Sequence, residues 1–279
     1  MKKIILMFIC LAAISAANAQ RKSVKVPDAG KLASVISEKE KMTITDLKVI
    51  GDLNGSDILL LRQMAGSDSK GNPQKGHLAN LDLSDANILK GGDSYYSLAS
   101  AGEDACTEND QLSANFFSGC LSLKSVVIPN TVTFISNNAF SFCPSLVEIK
   151  TANSKFFSSA DGILYSADHT LLIRCPQGKK VTKVSVPEGV KQIYPSAFRG
   201  VKSLTEIEFP STLEGISDVS FLGCPNITTI KCNATNPPAM EEAFDASVIE
   251  KANVIVRTAT AEKYQSVDGW SSFKNIVER

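Results

Sequence analysis

Phe117-Ser-Gly-Cys120-Leu-Ser-Leu123 returns as Phe140-Ser-Phe-Cys143-Pro-Ser-Leu146, as Phe198-Arg-Gly-Val201-Lys-Ser-Leu204 and as Phe221-Leu-Gly-Cys224-Pro-Asn-Ile227. Downstream lies a short apolar alternation: Val126-x-Ile128-Pro129, Val184-x-Val186-Pro187 and Ile207-x-Phe209-Pro210. A second apolar pair follows, Val132 with Ile135, Val190 with Ile193, and Leu213 with Ile216. The first position of the alternation falls at Val126, Ile149, Val184, Ile207 and Ile230, in steps of 23, 35, 23 and 23 residues. Alternation of period two marks a strand with one buried side. Proline directly after it lacks the N–H that would continue the ladder, so each strand stops there. Ala139-Phe140 with Cys143 three residues on reads as a tight helical turn leading back to the next strand. No single unit buries its apolar side alone. Stacking the units about 4.8 Å apart predicts a continuous parallel sheet and a spine of Phe117, Phe140, Phe198 and Phe221. The expected architecture is a right-handed solenoid of the α/β repeat class.

The longer step carries 12 extra residues. Asp161-Gly162-Ile-Leu-Tyr165 and Leu171-Leu-Ile-Arg174 predict a hairpin turning through Ala167, Asp168 and His169, projecting from one edge of the stack. The chain then divides into 1–19, an address segment; 20–116, an N-terminal cap with a first irregular repeat; 117–232, the repeats with a hairpin insertion at 152–180; and 233–279, a C-terminal cap.

The pattern Phe-x-x-Cys-x-x-Leu, Ile-x-Ile-Pro and Ala-Phe resembles the BspA-like leucine-rich repeats of bacterial cell-surface proteins. Asp161-Gly162-Ile-Leu-Tyr165 and Cys175-Pro176-Gln-Gly178-Lys are similar to an insertion that those proteins often contain. The specific likeness covers residues 117–232, and Leu78 to Ile88 adds a looser leucine-rich motif. The resemblance implies a leucine-rich-repeat solenoid with a parallel β-sheet, short helical turns and two caps. It also implies adhesion or protein binding at the cell surface, and it brings no catalytic residues. The array is short, four to five full rungs.

Lys2 and Lys3 precede an apolar run from Ile4 to Ile14, and Ala17-Asn18-Ala19 has the spacing of a cleavage site. This predicts a signal peptide cut after Ala19. The run is too short for an anchor, which needs about 20 apolar residues. Cys10 lies inside the run, so no lipid anchor is expected. No later apolar stretch is longer than Ile58 to Leu61 or its like, so no transmembrane segment is expected in the processed chain. The expected location is exported: cell surface, periplasm or medium. At the far end, Pro237-Pro238 is expected to end the ladder. Val254-Ile-Val256 reads as a strand and Ala259 to Val267 as a helix, with Tyr264, Trp270, Phe273 and Ile276 covering the last rung. Near the other end, helices are expected from Leu32 to Lys41 and from Asp57 to Met64.

Across 279 residues, 43% are apolar and 29 basic side chains balance 29 acidic ones. That composition excludes a disordered tail, a collagen-like chain and a nucleic-acid binder working by bulk charge. Enzyme chemistry finds little to use. The two histidines, His77 and His169, sit in turns, and no metalloprotease, nucleophile-elbow or Walker motif occurs. Gly66 to Gly71 has phosphate-loop spacing, but Asn72 stands where lysine belongs. Asp52-Leu-Asn54-Gly-Ser56-Asp57 departs from a calcium loop at its sixth and twelfth positions, Asp57 and Gln63, and reads as a helix N-cap by Ser56 or Asp57. No cofactor is expected. Cys120, Cys143 and Cys224 share a column with Val201, which asks for a small buried hydrophobe and free thiols. Pairing among Cys106, Cys175 and Cys232 stays open.

Candidate ligand contacts lie on the exposed sheet. One column reads Ser125, Glu148, Lys183, Glu206, Thr229 and the other Val127, Lys150, Ser185, Glu208, Lys231. Two readings are open: a self-satisfied charge ladder, with Glu148–Lys183–Glu206 and Glu208–Lys231 on neighbouring rungs, or a mixed-charge recognition face. Tyr95 and Tyr96, in the Gly/Ser/Ala-rich stretch 90–110, either contact a ligand or fold back over the first rung. The expected partner is an extracellular or surface protein, or a surface glycan. A self-assembling envelope component is the alternative.

Overall fold

The computed structural model describes residues 20–98 and 103–279; the expected signal peptide lies outside them, as do residues 99–102 of the 90–110 stretch. The N-terminal part runs β1 (Gln20–Lys25), a 3-10 turn at Leu32–Ser34, α1 (Glu38–Lys41), β2 (Ile44–Leu53), α2 (Gly55–Met64), β3 (Asn80–Ile88), β4 (Gly91–Leu98) and β5 (Glu103–Thr107). The first repeats supply β6 (Gln111–Leu112), β7 (Ser125–Val127), β8 (Phe134–Ile135) and β9 (Glu148–Lys150), and the insertion β10 (Phe157–Ala160), β11 (Ile163–Ser166) and β12 (Leu171–Arg174). Then come β13 (Lys183–Ser185), β14 (Gln192–Ile193), β15 (Glu206–Phe209), β16 (Gly215–Ile216), β17 (Thr229–Cys232) and β18 (Ala239–Met240). The chain finishes with α3 (Ala246–Lys251), β19 (Asn253–Val256), α4 (Ala261–Gln265), a 3-10 turn at Trp270–Ser272 and β20 (Asn275–Glu278).

The expected helix from Leu32 to Lys41 is broken in two. Ser37 is extended and opens a new helix through a capping box with Glu40, so the preceding turn cannot run through it. α2 forms as expected, but its cap is Asn54, with Asp57 as the third helical residue. Asp57 is buried, and its carboxylate accepts the N–H groups of Asn54 at 2.9 Å, Leu32 at 2.9 Å and Gly30 at 2.5 Å. It thereby ties the 3-10 turn to α2. Asp57→Ala strands three donors and is expected to cost about 2–3 kcal/mol, read from the urea midpoint. A loss below about 0.5 kcal/mol would show that water replaces the carboxylate.

The strands stack in parallel register as the alternation requires, but the main sheet is not continuous. Its order is β1-β2-β3-β7-β9 in one half and β13-β15-β17-β19-β20 in the other. The break falls at the insertion, and the buried apolar side chains divide into two clusters there. The hairpin β11–β12 forms, preceded by β10, yet it does not project. β12 pairs in parallel with β14, so the insertion becomes the first part of the second ladder, β10-β11-β12-β14-β16-β18. Leu164, Leu172 and Cys175 are fully buried, which a protruding hairpin could not achieve.

The aromatic spine is split at the same place. Phe117 stacks on Phe140 at 6.1 Å, and Phe198 on Phe221 at 4.8 Å. Phe244, unforeseen in the repeat, continues the second stack at 4.6 Å. Between Phe140 and Phe198 the same position is Cys175, whose N–H donates to Ala197 O as Phe117 N–H does to Ala139 O. In regular rungs a thiol reaches back to the previous phenylalanine carbonyl: Cys143 Sγ to Phe117 O and Cys224 Sγ to Phe198 O, both 3.0 Å. At the break that place is Gly178, which a Cβ would push against Pro144 O at 2.5 Å. Phe140 O accepts instead from buried Arg174 Nη2 at 3.2 Å, while Nη1 donates to Ser196 O at 2.6 Å.

Pro237-Pro238 does not end the ladder. Pro is tolerated at the entry to a strand, and β18 begins at the next residue and pairs with β16. β19 and β20 extend the main sheet by two more strands. Trp270 and Tyr264 are fully buried beneath them, with Trp270 Nε1 donating to Pro238 O at 2.8 Å. The tryptophan is a cap residue.

Candidate binding surfaces

In a parallel sheet residues in register share a face, so the pairings define the outward columns. Over the C-terminal half they run Lys183, Glu206, Thr229, Asn253, Asn275 and Ser185, Glu208, Lys231, Ile255, Val277. Over the N-terminal half they run Arg21, Asp46, Asn80, Ser125, Glu148 and Ser23, Lys48, Asp82, Val127, Lys150. Of the first three rungs of that half, the sequence pattern marks only the third, as the looser leucine-rich motif at Leu78 to Ile88. Their signal was the alternation Leu47-x-Val49 and Leu81-x-Leu83, without the phenylalanine turn that marks later repeats.

The structure brings Lys183, Glu206 and Lys231 together: Glu206 lies 3.1 Å from Lys183 Nζ and 2.5 Å from Lys231 Nζ. The Lys231 hydrogen bond, then the Lys183 one, hold the Glu206 carboxyl below its ordinary value. Lys231 therefore reaches diagonally to Glu206 and not straight across to Glu208 as expected. Glu208 is occupied by Asn233 Nδ2 at 3.2 Å and lies 3.7 Å from Arg279. The expected Glu148–Lys183 pair does not form, because β9 and β13 belong to different sheets. Glu148 turns to Lys150 on its own strand at 2.6 Å, and that hydrogen bond lowers its carboxyl.

The 90–110 stretch is an antiparallel pair, β4 with β5, packed on α2, and not a long loop. Tyr95 is fully buried, stands 5.3 Å from Phe116, and donates its hydroxyl to Ala114 O at 2.7 Å. It is a core residue. Tyr96 is half-buried with the Arg62 guanidinium 4.9 Å over its ring. His77 and His169 are exposed, as their turns required. All six cysteines among the described residues are free, and Cys106 alone is exposed.

Two cavities open on the sheet. One of about 400 Å³ lies over the N-terminal columns, between Arg21, Asp46, Lys48, Asn80 and Val127. The other, about 750 Å³, lies in the break between the two halves, between the Asp161-Gly162 turn and Lys183 to Ser185. No helix among the described residues is long and apolar enough to cross a membrane.

Residues 108–170 and 173–265 match the BspA type leucine rich repeat region in six copies, more than half of the chain. The chain belongs to this family. The BspA-type match runs past the Phe221–Ile227 repeat to the rungs built on Phe244 and β19. Among curated proteins no sequence matches the chain. Among solved structures it is similar to a leucine-rich repeat protein from Eubacterium ventriosum, at 15% identity and TM-score 0.44, over 85% of this chain and 72% of that one. A leucine rich cell surface protein from Faecalibacterium prausnitzii aligns at 16% identity and TM-score 0.43, over 85% and 77%. The pneumococcal vaccine antigen PcpA aligns at 13% identity and TM-score 0.39, over 92% and 84%.

Proposed function

We propose that this BspA-type protein is an exported, non-catalytic recognition module that binds a protein or glycan outside the cell through its exposed sheet. The observation carrying this reading is the pair of largely polar columns that each half of the main sheet turns outward, in register within that half. Their charges are held by surface ion pairs and, at Glu208, by the Asn233 amide, contacts that contribute little to stability and are free to exchange for a partner's groups. Glu148, Lys150, Lys183, Glu206, Glu208 and Lys231 are the proposed contacts, with the N-terminal cavity beside them. The signal-like segment 1–19 and the family's cell-surface relatives support export. A second reading, self-assembly, draws on β20, an edge strand whose Val277 is 48% exposed. A sedimentation coefficient rising with concentration in the absence of any ligand supports it.

The test is capture of extracellular-matrix proteins and surface glycans by the purified chain and by a variant with Glu148, Lys183, Glu206 and Glu208 reversed in charge. Binding is expected to weaken about tenfold or more in the variant, with the unfolding midpoint nearly unchanged. Full binding by the variant would move the site off the sheet.

A further inference from the structure

The break between the two halves leaves one strand edge covered and the other open. Glu206 N–H donates to Thr182 O and Val186 N–H to Glu208 O, so residues 182, 184 and 186 turn their backbone groups towards β15. Lys183 and Ser185, by the alternation of a parallel ladder, turn theirs the other way. β13 is the edge of its sheet, and among the described residues the Lys183 and Ser185 N–H groups find no acceptor. Across the break β9 is served: Ile149 N–H donates to Gly162 O at 3.0 Å and Thr151 N–H to Ser159 Oγ at 3.2 Å. The space between is the cavity of about 750 Å³, within the roughly 300–1,000 Å³ of ligand sites.

We propose that this opening is a strand-docking slot, in which an extended segment of a partner protein, alternating acidic with β-branched apolar residues, adds to the free edge of β13. The proposal rests on the reading of the chain as a recognition protein and names the chemistry of one partner. Backbone pairing with Lys183 and Ser185 gives the affinity, as in other strand additions. The inward side chains face Ile163, Tyr165 and Val184, filling the gap in the buried column between Ile149 and Val184. The outward side chains lie beside Lys180 and Lys183. Lys180 is exposed and has no ion pair among the described residues, and Lys183 shares Glu206 with Lys231. The lining sets Lys179, Lys180 and Lys183 against Asp161 and Glu148, and Glu148 is already paired with Lys150, so the balance is positive on the Lys180 and Lys183 side and favours an acidic segment there. An unguarded strand edge is ordinarily blunted; here it is framed by the insertion on one side and lysines on the other.

The experiment pans a random dodecapeptide phage library against the purified protein and measures a synthetic copy of the leading peptide. Enriched sequences are expected to alternate Asp or Glu with Val, Ile or Thr, and peptide binding is expected to slow amide exchange at Lys183 and Ser185. Ser185→Pro deletes an N–H that faces the slot and not β15, so the sheet survives while affinity falls at least tenfold. Lys180→Glu weakens binding without touching the backbone. No enrichment, or peptides that bind both variants as well as the parent, overturns the slot. Reversing Glu208 and Lys231 affects the sheet-face ligand but not the peptide. A parent that binds no matrix protein or glycan, or a Glu208 and Lys231 reversal that binds them fully, therefore defeats the earlier reading and leaves the slot, while a peptide indifferent to Ser185→Pro defeats the slot alone.

Discussion

Phe221→Ala is expected to lower stability by about 3–5 kcal/mol, the cost of emptying a large aromatic site that cannot collapse. Phe221 is fully buried with a parallel ring on each side, Phe198 at 4.8 Å and Phe244 at 4.6 Å, and Phe209 edge-on at 5.8 Å. Those neighbours are fixed by rows of backbone bonds, Phe198 N–H to Ser220 O and Phe221 N–H to Ala243 O, both at ladder spacing. The rings above and below cannot close the gap without shortening the ladder itself. Urea unfolding followed by the fluorescence of Trp270, which reports on this half alone, measures the loss. Phe134→Ala, at a ring 46% exposed, is the control and should stay within about 0.5 kcal/mol. A loss below about 1 kcal/mol at Phe221 would mean that the stack is filler and not a spine.

Raising the pH above about 9 should unfold the chain steeply. Burial pushes the Cys143 thiol up to about 11 and the Cys175 and Cys224 thiols up to about 12, and Cys120 and Cys232 also rise. Burial likewise pushes Tyr165 up to about 12. An unfolded thiol titrates near pH ~8.5. Below that value both states hold the proton and stability is complete. As pH rises towards the folded values only the unfolded chain ionises, so each such thiol removes about 1.4 kcal/mol per pH unit. Three together remove roughly 4 kcal/mol per unit, enough to exhaust an ordinary domain's stability of about 5–15 kcal/mol between pH ~9 and ~12. Cys143→Ser and Cys224→Ser keep a donor to the Phe117 and Phe198 carbonyls and remove the ionisation, so the pair should shift the alkaline midpoint upward. Circular dichroism against pH decides it; an unchanged midpoint would rule out the thiols as the cause.

The repeated residues 117–146 and 198–227 announced the solenoid because each apolar position recurs at a fixed distance, and stacking follows from that alone. The break did not announce itself. By its ladder bond Cys175 stands at a phenylalanine position and Gly178 three residues on at a cysteine position, and only the geometry shows that Arg174 then makes the bond the thiol would have made. The rung on Leu47 was hidden and the one on Leu81 showed only as a loose leucine-rich motif, because α2 and the β4–β5 pair replace the phenylalanine turns. Candidate contacts were half legible. Column membership follows from register, so Lys183 and Glu206 fell together as read, while Lys231, read against Glu208, reaches Glu206 instead. Which carboxylate a long lysine reaches is set by side-chain flexibility, and Glu148 lost its partner to an insertion whose path no periodicity encodes. Composition left Tyr95 open between a ligand contact and packing over the first rung; packing is what forms, with its hydroxyl on the Ala114 carbonyl.

The divided sheet also has a mechanical meaning. Tension applied across the rungs loads each ladder in turn, and a regular step resists with a full row of backbone bonds on the main sheet. At the insertion that row is reduced to Gly178 N–H on Leu146 O, Ile149 N–H on Gly162 O, Thr151 N–H on Ser159 Oγ and the guanidinium of Arg174. The chain would part there first, keeping each stack of phenylalanines whole, and the slack of the parted insertion would lengthen the tether before either half was lost. A protein pulled between a cell and its surroundings would thus carry its own weak link at mid-length, with β13's open edge at the mouth of the tear.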